Sequence, residues 1–163
     1  MSRCLRNYRF YSDDQVTLFD GDALEVARHM DDGAADCIVT SPPYFGLRDY
    51  GIDGQYGLEG SPAEYVETMR ALFAELRRVL ADDGTLWLNI GDSYAIPKGG
   101  GYNHNAPSNT KRRESAADTF NGQAQVDYRE RVYPDYGRKP KNLLGIPWRV
   151  AFALQDDGWI LRN

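Results

Sequence analysis

Apolar residues follow two rhythms along this chain. Short apolar runs of strand length occur at 16–19, 35–39, 85–90 and 159–161. Between them, apolar residues recur at helical spacing. The clearest case is Tyr65, Met69, Leu72, Phe73, Leu76, Val79 and Leu80, a stripe that predicts a helix packed on a core. Ser61 is placed to cap that helix, with Pro62 at its first position and Glu64 as capping-box partner. Arg70, Arg77 and Arg78 then fall on or near its solvated face. A shorter helix follows Asp22, whose carboxylate is placed to cap it with Glu25 three residues on. Leu24, Val26, Ala27 and Met30 give it an apolar side. A third helix is expected over 145–157, with Pro147 near its start and Ile146, Trp148, Ala151, Phe152 and Leu154 towards the core.

Asp-Asp-Gly occurs at 31–33, 82–84 and 156–158, each time after a helical pattern and before an apolar run. Glycine there supplies the left-handed residue that ends a helix. Repeated helix–glycine–strand units predict an α/β fold with parallel strands. The rest of each unit differs, so this is not a sequence repeat. Residues 1–15 read as an irregular arm, with Tyr8, Phe10 and Tyr11 packing on the domain. The glycine-rich stretch 45–60 reads as a loop, either closing over a substrate or simply connecting two elements.

The run Cys37-Ile38-Val39 reads as a buried strand that stops at Thr40-Ser41-Pro42-Pro43-Tyr44. Two successive prolines cannot continue a ladder. The chain therefore leaves the sheet with a hydroxyl, a stiff turn and an aromatic ring at the carboxyl end of a strand, the edge where open α/β sheets bind ligands. The carbonyls of Ser41 and Pro42 precede residues without an N–H and are expected to stay free to accept. A hydroxyl, free carbonyls and a ring face suit a planar base with an exocyclic amine.

At 163 residues with 42% apolar content, the chain has material for one domain and a core. Its net charge of -5 argues against a generally basic nucleic-acid binder, but charge is uneven. Residues 95–141 hold nine Lys or Arg against five Asp or Glu, a net +4 that leaves -9 on the rest. This insertion, within a single domain 1–163, also carries Tyr102, Tyr128, Tyr133 and Tyr136, a pattern suited to phosphate contact and base stacking. Lys111, Arg112 and Arg113 are the expected phosphate contacts; a solvated loop is the alternative. Gly99-Gly100-Gly101 lacks the following Gly-Lys-Ser/Thr of a phosphate-binding loop. Cys4 and Cys37 form neither a disulfide framework nor a zinc pattern. Cys37, read as core, suits a reducing cytoplasm. No run is long and apolar enough for a signal peptide or membrane span. His29 and His104 stand alone, so no metal is expected.

Ser41-Pro42-Pro43-Tyr44 resembles the (Ser/Asp/Asn)-Pro-Pro-(Tyr/Phe) motif of the amino-methylating DNA methyltransferases, which act on cytosine N4 or adenine N6. Val16-Thr17-Leu18-Phe19-Asp20-Gly21-Asp22-Ala23-Leu24 resembles the Gly-Asp segment preceding that motif in members of the β-type order. Gly84-Thr85-Leu86-Trp87-Leu88-Asn89-Ile90-Gly91-Asp92 is similar to their next core strand. The resemblance covers 16–94 and 142–163. It implies a Rossmann-like sheet, S-adenosyl-L-methionine as methyl donor and double-stranded DNA with a flipped target base. It implies that Ser41 and the Pro42 carbonyl accept from the amine, that Pro43 completes the turn and that Tyr44 stacks on the base. Asp22, with Gly21, corresponds to the acidic segment that contacts the adenosyl group. Asp92 lies at another strand end, with no role fixed. Serine in first position favours cytosine N4, with adenine N6 next.

The chain also departs from the family. It has no Phe-x-Gly-x-Gly loop to grip the donor, and the family places two further strands between those at 16–19 and 35–39. The expected fold is thus an incomplete sheet. The expected protein is a truncated or split cytoplasmic enzyme of bacterial, archaeal or phage origin, inactive alone. It would be completed by a second polypeptide or by homo-oligomerisation. A non-catalytic DNA-binding fragment, or an RNA or protein amino-methyltransferase, remains the alternative.

Overall fold

Helix α2 (Pro62–Val79) forms the centre of the core. Its stripe of Tyr65, Met69, Leu72, Phe73 and Val79 is buried, and Leu76 is half-buried. The computed structural model describes residues 5–95, 138–139 and 141–162. The helix starts as its sequence requires. Ser61 Oγ accepts from the Glu64 N–H at 3.2 Å and donates to Glu64 Oε1 at 3.0 Å, while Glu64 Oε2 takes the Gly60 N–H. Ser61→Ala is expected to cost about 1 kcal/mol, read as a lower urea midpoint at unchanged slope.

Around α2 lie β1 (Arg9–Ser12), β2 (Thr17–Phe19), α1 (Ala23–Arg28), β3 (Ala35–Thr40), β4 (Leu80–Leu88) and α3 (Ile146–Asp156). Strands β3 and β4 pair in parallel, Cys37 opposite Thr85 through Thr40 opposite Leu88. Strands β1 and β2 form a separate antiparallel pair. The architecture is mixed α/β with a small parallel sheet. By contacts the chain divides into Met1–Tyr94 with Leu143–Asn163, and Ala95–Asn142; the first unit holds all these elements. Among the described residues no helix is long and apolar enough to cross a membrane.

Several expectations need correction. The 1–15 segment is no irregular arm. Leu5–Tyr8 forms a 3-10 turn and Arg9–Ser12 pairs with β2. Tyr8 does pack, with its ring 5.6 Å from that of His29, whereas Phe10 and Tyr11 are exposed. Cys37 is exposed rather than core. The helices cover one face of the β3–β4 pair, where Ile38, Thr40, Leu86 and Leu88 are half-buried; Cys37, Val39, Thr85 and Trp87 alternate onto the other face. That face is open, with Val39 77% and Trp87 59% accessible.

Asp82-Asp83-Gly84 does not end a helix. Leu80 pairs with Ala35 directly after α2, so the tripeptide falls in the irregular stretch of β4 before Thr85. Strand pairing and the burial of Leu80 override the glycine signal. Gly33 and Gly158 do take left-handed conformations after α1 and α3. Residues 159–161 are not a strand, because no described strand lies beside them to supply a ladder. In α3 the buried residues are Ile146, Val150 and Leu154, spaced by four; Trp148 and Phe152 stack on each other in solvent.

The arginines of α2 are more engaged than a solvated face implies. Arg78 donates to the carbonyls of Ala27 and Met30 at 2.9 Å each and pairs with Asp32, fastening the end of α1. Arg77 and Arg70 reach the Asp157 carbonyl and carboxylate at the end of α3.

Candidate functional site

Because β3 and β4 are parallel, both end on the same edge. The Asn89 N–H donates to the Thr40 carbonyl at 2.9 Å, carrying the ladder one step past the strands. The chain then leaves β3 as Ser41–Tyr44 and β4 as Asn89–Ser93, side by side. The Tyr44 ring lies on Gly91: a Cβ there would sit 2.7 Å from Tyr44 Cδ2 and Cε2. Only a glycine lets the ring come down onto this backbone. At the Tyr44 backbone, Gly57 (φ +91°) comes so close that a Cβ would lie 2.8 Å from the Tyr44 carbonyl oxygen.

The carbonyls of this turn are unequally occupied. Thr40 accepts from Asn89, Pro43 from the Tyr65 hydroxyl at 2.9 Å, and Tyr44 from the Leu47 N–H at 3.3 Å. Among the described residues no donor reaches the Ser41 or Pro42 carbonyl. Ser41 is exposed. Its hydroxyl leans on Tyr44 Oη at a long 3.4 Å, leaving the oxygen lone pairs available. A hydroxyl oxygen and a carbonyl without donors, next to a ring held flat, form an acceptor pair beside a stacking surface.

Asp22 performs the capping role read from the sequence: its Oδ1 accepts from the Glu25 N–H at 3.0 Å. Glu25 pairs with Arg28 rather than closing a full capping box. Asp22 Oδ2 accepts from the Tyr56 hydroxyl at 3.0 Å. Burial first, and Asp22 second, push the Tyr56 phenol up to about 12, so it stays a donor at neutral pH. Tyr56 adjoins Gly57, whose carbonyl takes the Gly46 N–H at 2.7 Å. The 45–60 loop thereby links Asp22 to the turn at Tyr44. Gly21 packs on the Tyr8 ring, which a Cβ would meet at 2.7 Å. For an adenosyl donor, these residues fit at one point. The Asp22 carboxylate is an acceptor suited to N–H or O–H groups, on condition that Tyr56 shares or yields it.

Asp92 has a defined structural role. Its Oδ1 accepts from Ser93 N at 2.8 Å and Ile146 N at 3.0 Å, and its Oδ2 from Gly145 N at 3.0 Å. Gly145 has no side chain to cap α3, so Asp92 caps that helix from a distant segment. Ser93 Oγ donates to the Phe45 carbonyl, and Phe45 packs on Tyr65 with ring centroids 5.6 Å apart.

Lys111, Arg112, Arg113, the tyrosines at 102, 128, 133 and 136, Gly99–Gly101 and His104 lie outside the described residues. Among the described residues no His, Cys, Asp and Glu cluster could hold a metal. A concavity of about 830 Å³ opens between α2 and α3 and is lined by Glu64, Glu67, Arg149 and Phe152 among others. It touches none of Ser41–Tyr44. It is shallow and lined by ordinary helix-surface residues, so the strand-end turn is the stronger candidate site.

Tyr65 and Tyr56 escaped the sequence reading. Tyr65 was hidden in an apolar stripe, yet a tyrosine among leucines signals a hydroxyl in need of a partner. Tyr56 lay in a loop with no period to place it.

The DNA methylase family N6_N4_Mtase matches residues 35–163. The chain is 52% identical over 149 residues to the Type II methyltransferase M.XycI of Xanthomonas campestris pv. cyanopsidis, covering 90% of this chain and 44% of that protein. It is 50% identical over 150 residues to the Type II methyltransferase M.Cfr9I of Citrobacter freundii, covering 91% and 44%. An archaeal relative, the Type II methyltransferase M.MwoI of Methanothermobacter wolfeii, is 46% identical over 141 residues, covering 86% and 15%. The chain spans less than half the length of these curated relatives. No solved structure matches it significantly.

Proposed function

This chain belongs to the amino-methylating DNA methyltransferase family, and we propose that its Ser41–Tyr44 turn receives the exocyclic amine of a base flipped out of double-stranded DNA. Cytosine N4 is the favoured target and adenine N6 the next. The observation that carries this reading is the selective occupancy of the turn. Among the described residues, donors occupy the carbonyls of Thr40, Pro43 and Tyr44 and none reaches those of Ser41 and Pro42.

An exocyclic amine is a poor nucleophile, because its lone pair is delocalised into the ring. Ser41 Oγ and the Pro42 carbonyl each hold one amine proton, which favours the pyramidal nitrogen of the transition state over the flat ground state. Pro42 and Pro43 make the turn stiff, so the acceptors are aligned before the base arrives. Tyr44, seated on Gly91, stacks on the base. S-adenosyl-L-methionine, when bound, supplies an electrophilic methyl group. Asp22 would accept hydrogen bonds from its adenosyl part, with Gly21 shaping the turn beside it. Lys111, Arg112 and Arg113, in the basic insertion 95–141 of this partial catalytic domain, contact phosphates.

The proposal includes a larger sheet and donor site than the residues of this sequence supply. The β1–β2 pair and the β3–β4 pair are separate sheets, the open face of β3–β4 exposes Val39 and Trp87, and the sequence has no glycine loop for the donor. Completion of the Rossmann-like sheet by a second polypeptide or a homo-oligomer is part of the proposal. Calorimetry tests it with S-adenosyl-L-methionine as titrant. The chain alone is expected to show no binding. The chain joined to the part of the Xanthomonas relative that it does not span is expected to bind one equivalent and to methylate DNA. Tight stoichiometric binding by the chain alone, or no methyl transfer by the completed enzyme, contradicts the proposal.

A further inference from the structure

We infer that Tyr65 is a positioning residue for methyl transfer: by engaging the Pro43 carbonyl it fixes the direction in which the Pro42 carbonyl points at the target amine. The inference rests on the reading of Ser41–Tyr44 as the amine site. Tyr65 sits in the first turn of α2, a rigid element capped at Ser61, and is fully buried. Its hydroxyl crosses from the helix to the turn and donates to the Pro43 carbonyl at 2.9 Å.

The geometry of two successive prolines makes this contact consequential. The ring of Pro43 locks its own φ. The amide plane that carries the Pro42 oxygen is therefore fixed relative to the Pro43 Cα–C bond. The remaining freedom is the rotation that aims the Pro43 carbonyl, and Tyr65 sets it. The same contact takes the Pro43 oxygen out of competition, so that an incoming amine meets the Pro42 oxygen and the Ser41 hydroxyl instead. Phe45 packs against the Tyr65 ring and gives up its own carbonyl to Ser93 Oγ, which holds the far side of the turn. Burial first, then the charge of Glu59, push the Tyr65 phenol up, so it remains a donor across the working pH range.

Tyr65→Phe in the completed enzyme isolates the hydroxyl, because the ring stays. Three readouts are compared with the parent: single-turnover methyl transfer, KM for DNA, and fluorescence of 2-aminopurine at the target position, which reports base extrusion. Transfer is expected to fall about tenfold, the loss of one orienting contact, with KM and the fluorescence change within twofold. Site-specific 3-fluorotyrosine at 65, which keeps both ring and O–H but is a more acidic donor, is expected to transfer well above the Tyr65→Phe rate and at a rate measurably different from the parent's. Unchanged transfer in Tyr65→Phe overturns the inference. So does a parallel loss of transfer, binding and extrusion, which would mark a merely structural residue. Were Tyr65→Phe to fold poorly, the 3-fluorotyrosine enzyme decides alone. A more acidic phenol donates more strongly and should shift the rate, and a rate identical to the parent's overturns the inference. A parent enzyme without methyl transfer would instead refute the reading of the site.

Discussion

Ser41→Ala is expected to slow single-turnover methyl transfer by the completed enzyme about 100-fold while leaving its folding stability within about 0.5 kcal/mol. The two halves of that expectation come from one observation. Ser41 is exposed and, among the described residues, its hydroxyl makes a single long contact, 3.4 Å to Tyr44 Oη, so the fold loses almost nothing with it. The reaction loses one of two acceptors aimed at the amine, a contact that strengthens only as the nitrogen pyramidalises. Binding of DNA should change little, because interactions made only in the transition state appear in kcat and not in KM. Ser41→Asp keeps an acceptor at this position and is expected to retain more activity than the alanine variant. Rapid-quench measurements at saturating donor and DNA check both variants.

The largest stability effect is expected at Asp92. Its carboxylate serves the N–H groups of Ser93, Gly145 and Ile146, and two of these open α3. Asp92→Ala removes a charged cap and leaves those donors unpaired, at a cost of about 2–3 kcal/mol. The carboxylate also faces the positive end of the α3 dipole, which adds to the loss. Asp92→Asn retains one acceptor oxygen where two are used, and is expected to cost about half as much. Urea denaturation of the isolated chain, with helical ellipticity as probe, measures both. Loss of α3 would expose Ile146, Val150 and Leu154, so both variants should also bind a hydrophobic dye more readily.

Local chemistry made much of this fold legible. Ser61-Pro62 with Glu64 begins a helix for reasons contained in those residues. The Tyr65 to Val79 stripe buries as its spacing requires, and the prolines at 42 and 43 end β3 as their missing N–H groups demand. What stayed hidden depended on partners distant in sequence. Cys37 and Val39 look like core because an apolar run implies cover on both faces, and only one face is covered. Trp148 and Phe152 look like the buried side of α3 because large rings dominate any count of apolarity, yet the smaller Val150 is the buried residue. Asp82-Asp83-Gly84 carries a helix-end signal that the pairing of Leu80 with Ala35 overrides. Within the candidate site the turn itself was readable, and its supports were not. Tyr65, Gly91 and Asp92 act across separations of 22 to 54 residues, and no local pattern announces such contacts.

The central claim is that an exocyclic base amine meets Ser41 and the Pro42 carbonyl. The most direct measurement is the identity of the methylated base: DNA treated with the completed enzyme, digested to nucleosides and resolved by mass spectrometry. N4-methylcytosine is the predicted product, and its yield should collapse in Ser41→Ala. N6-methyladenine would keep the amine site and reverse the preference for cytosine. Methylation at cytosine C5, or methylated DNA that survives Ser41→Ala undiminished, would contradict the account.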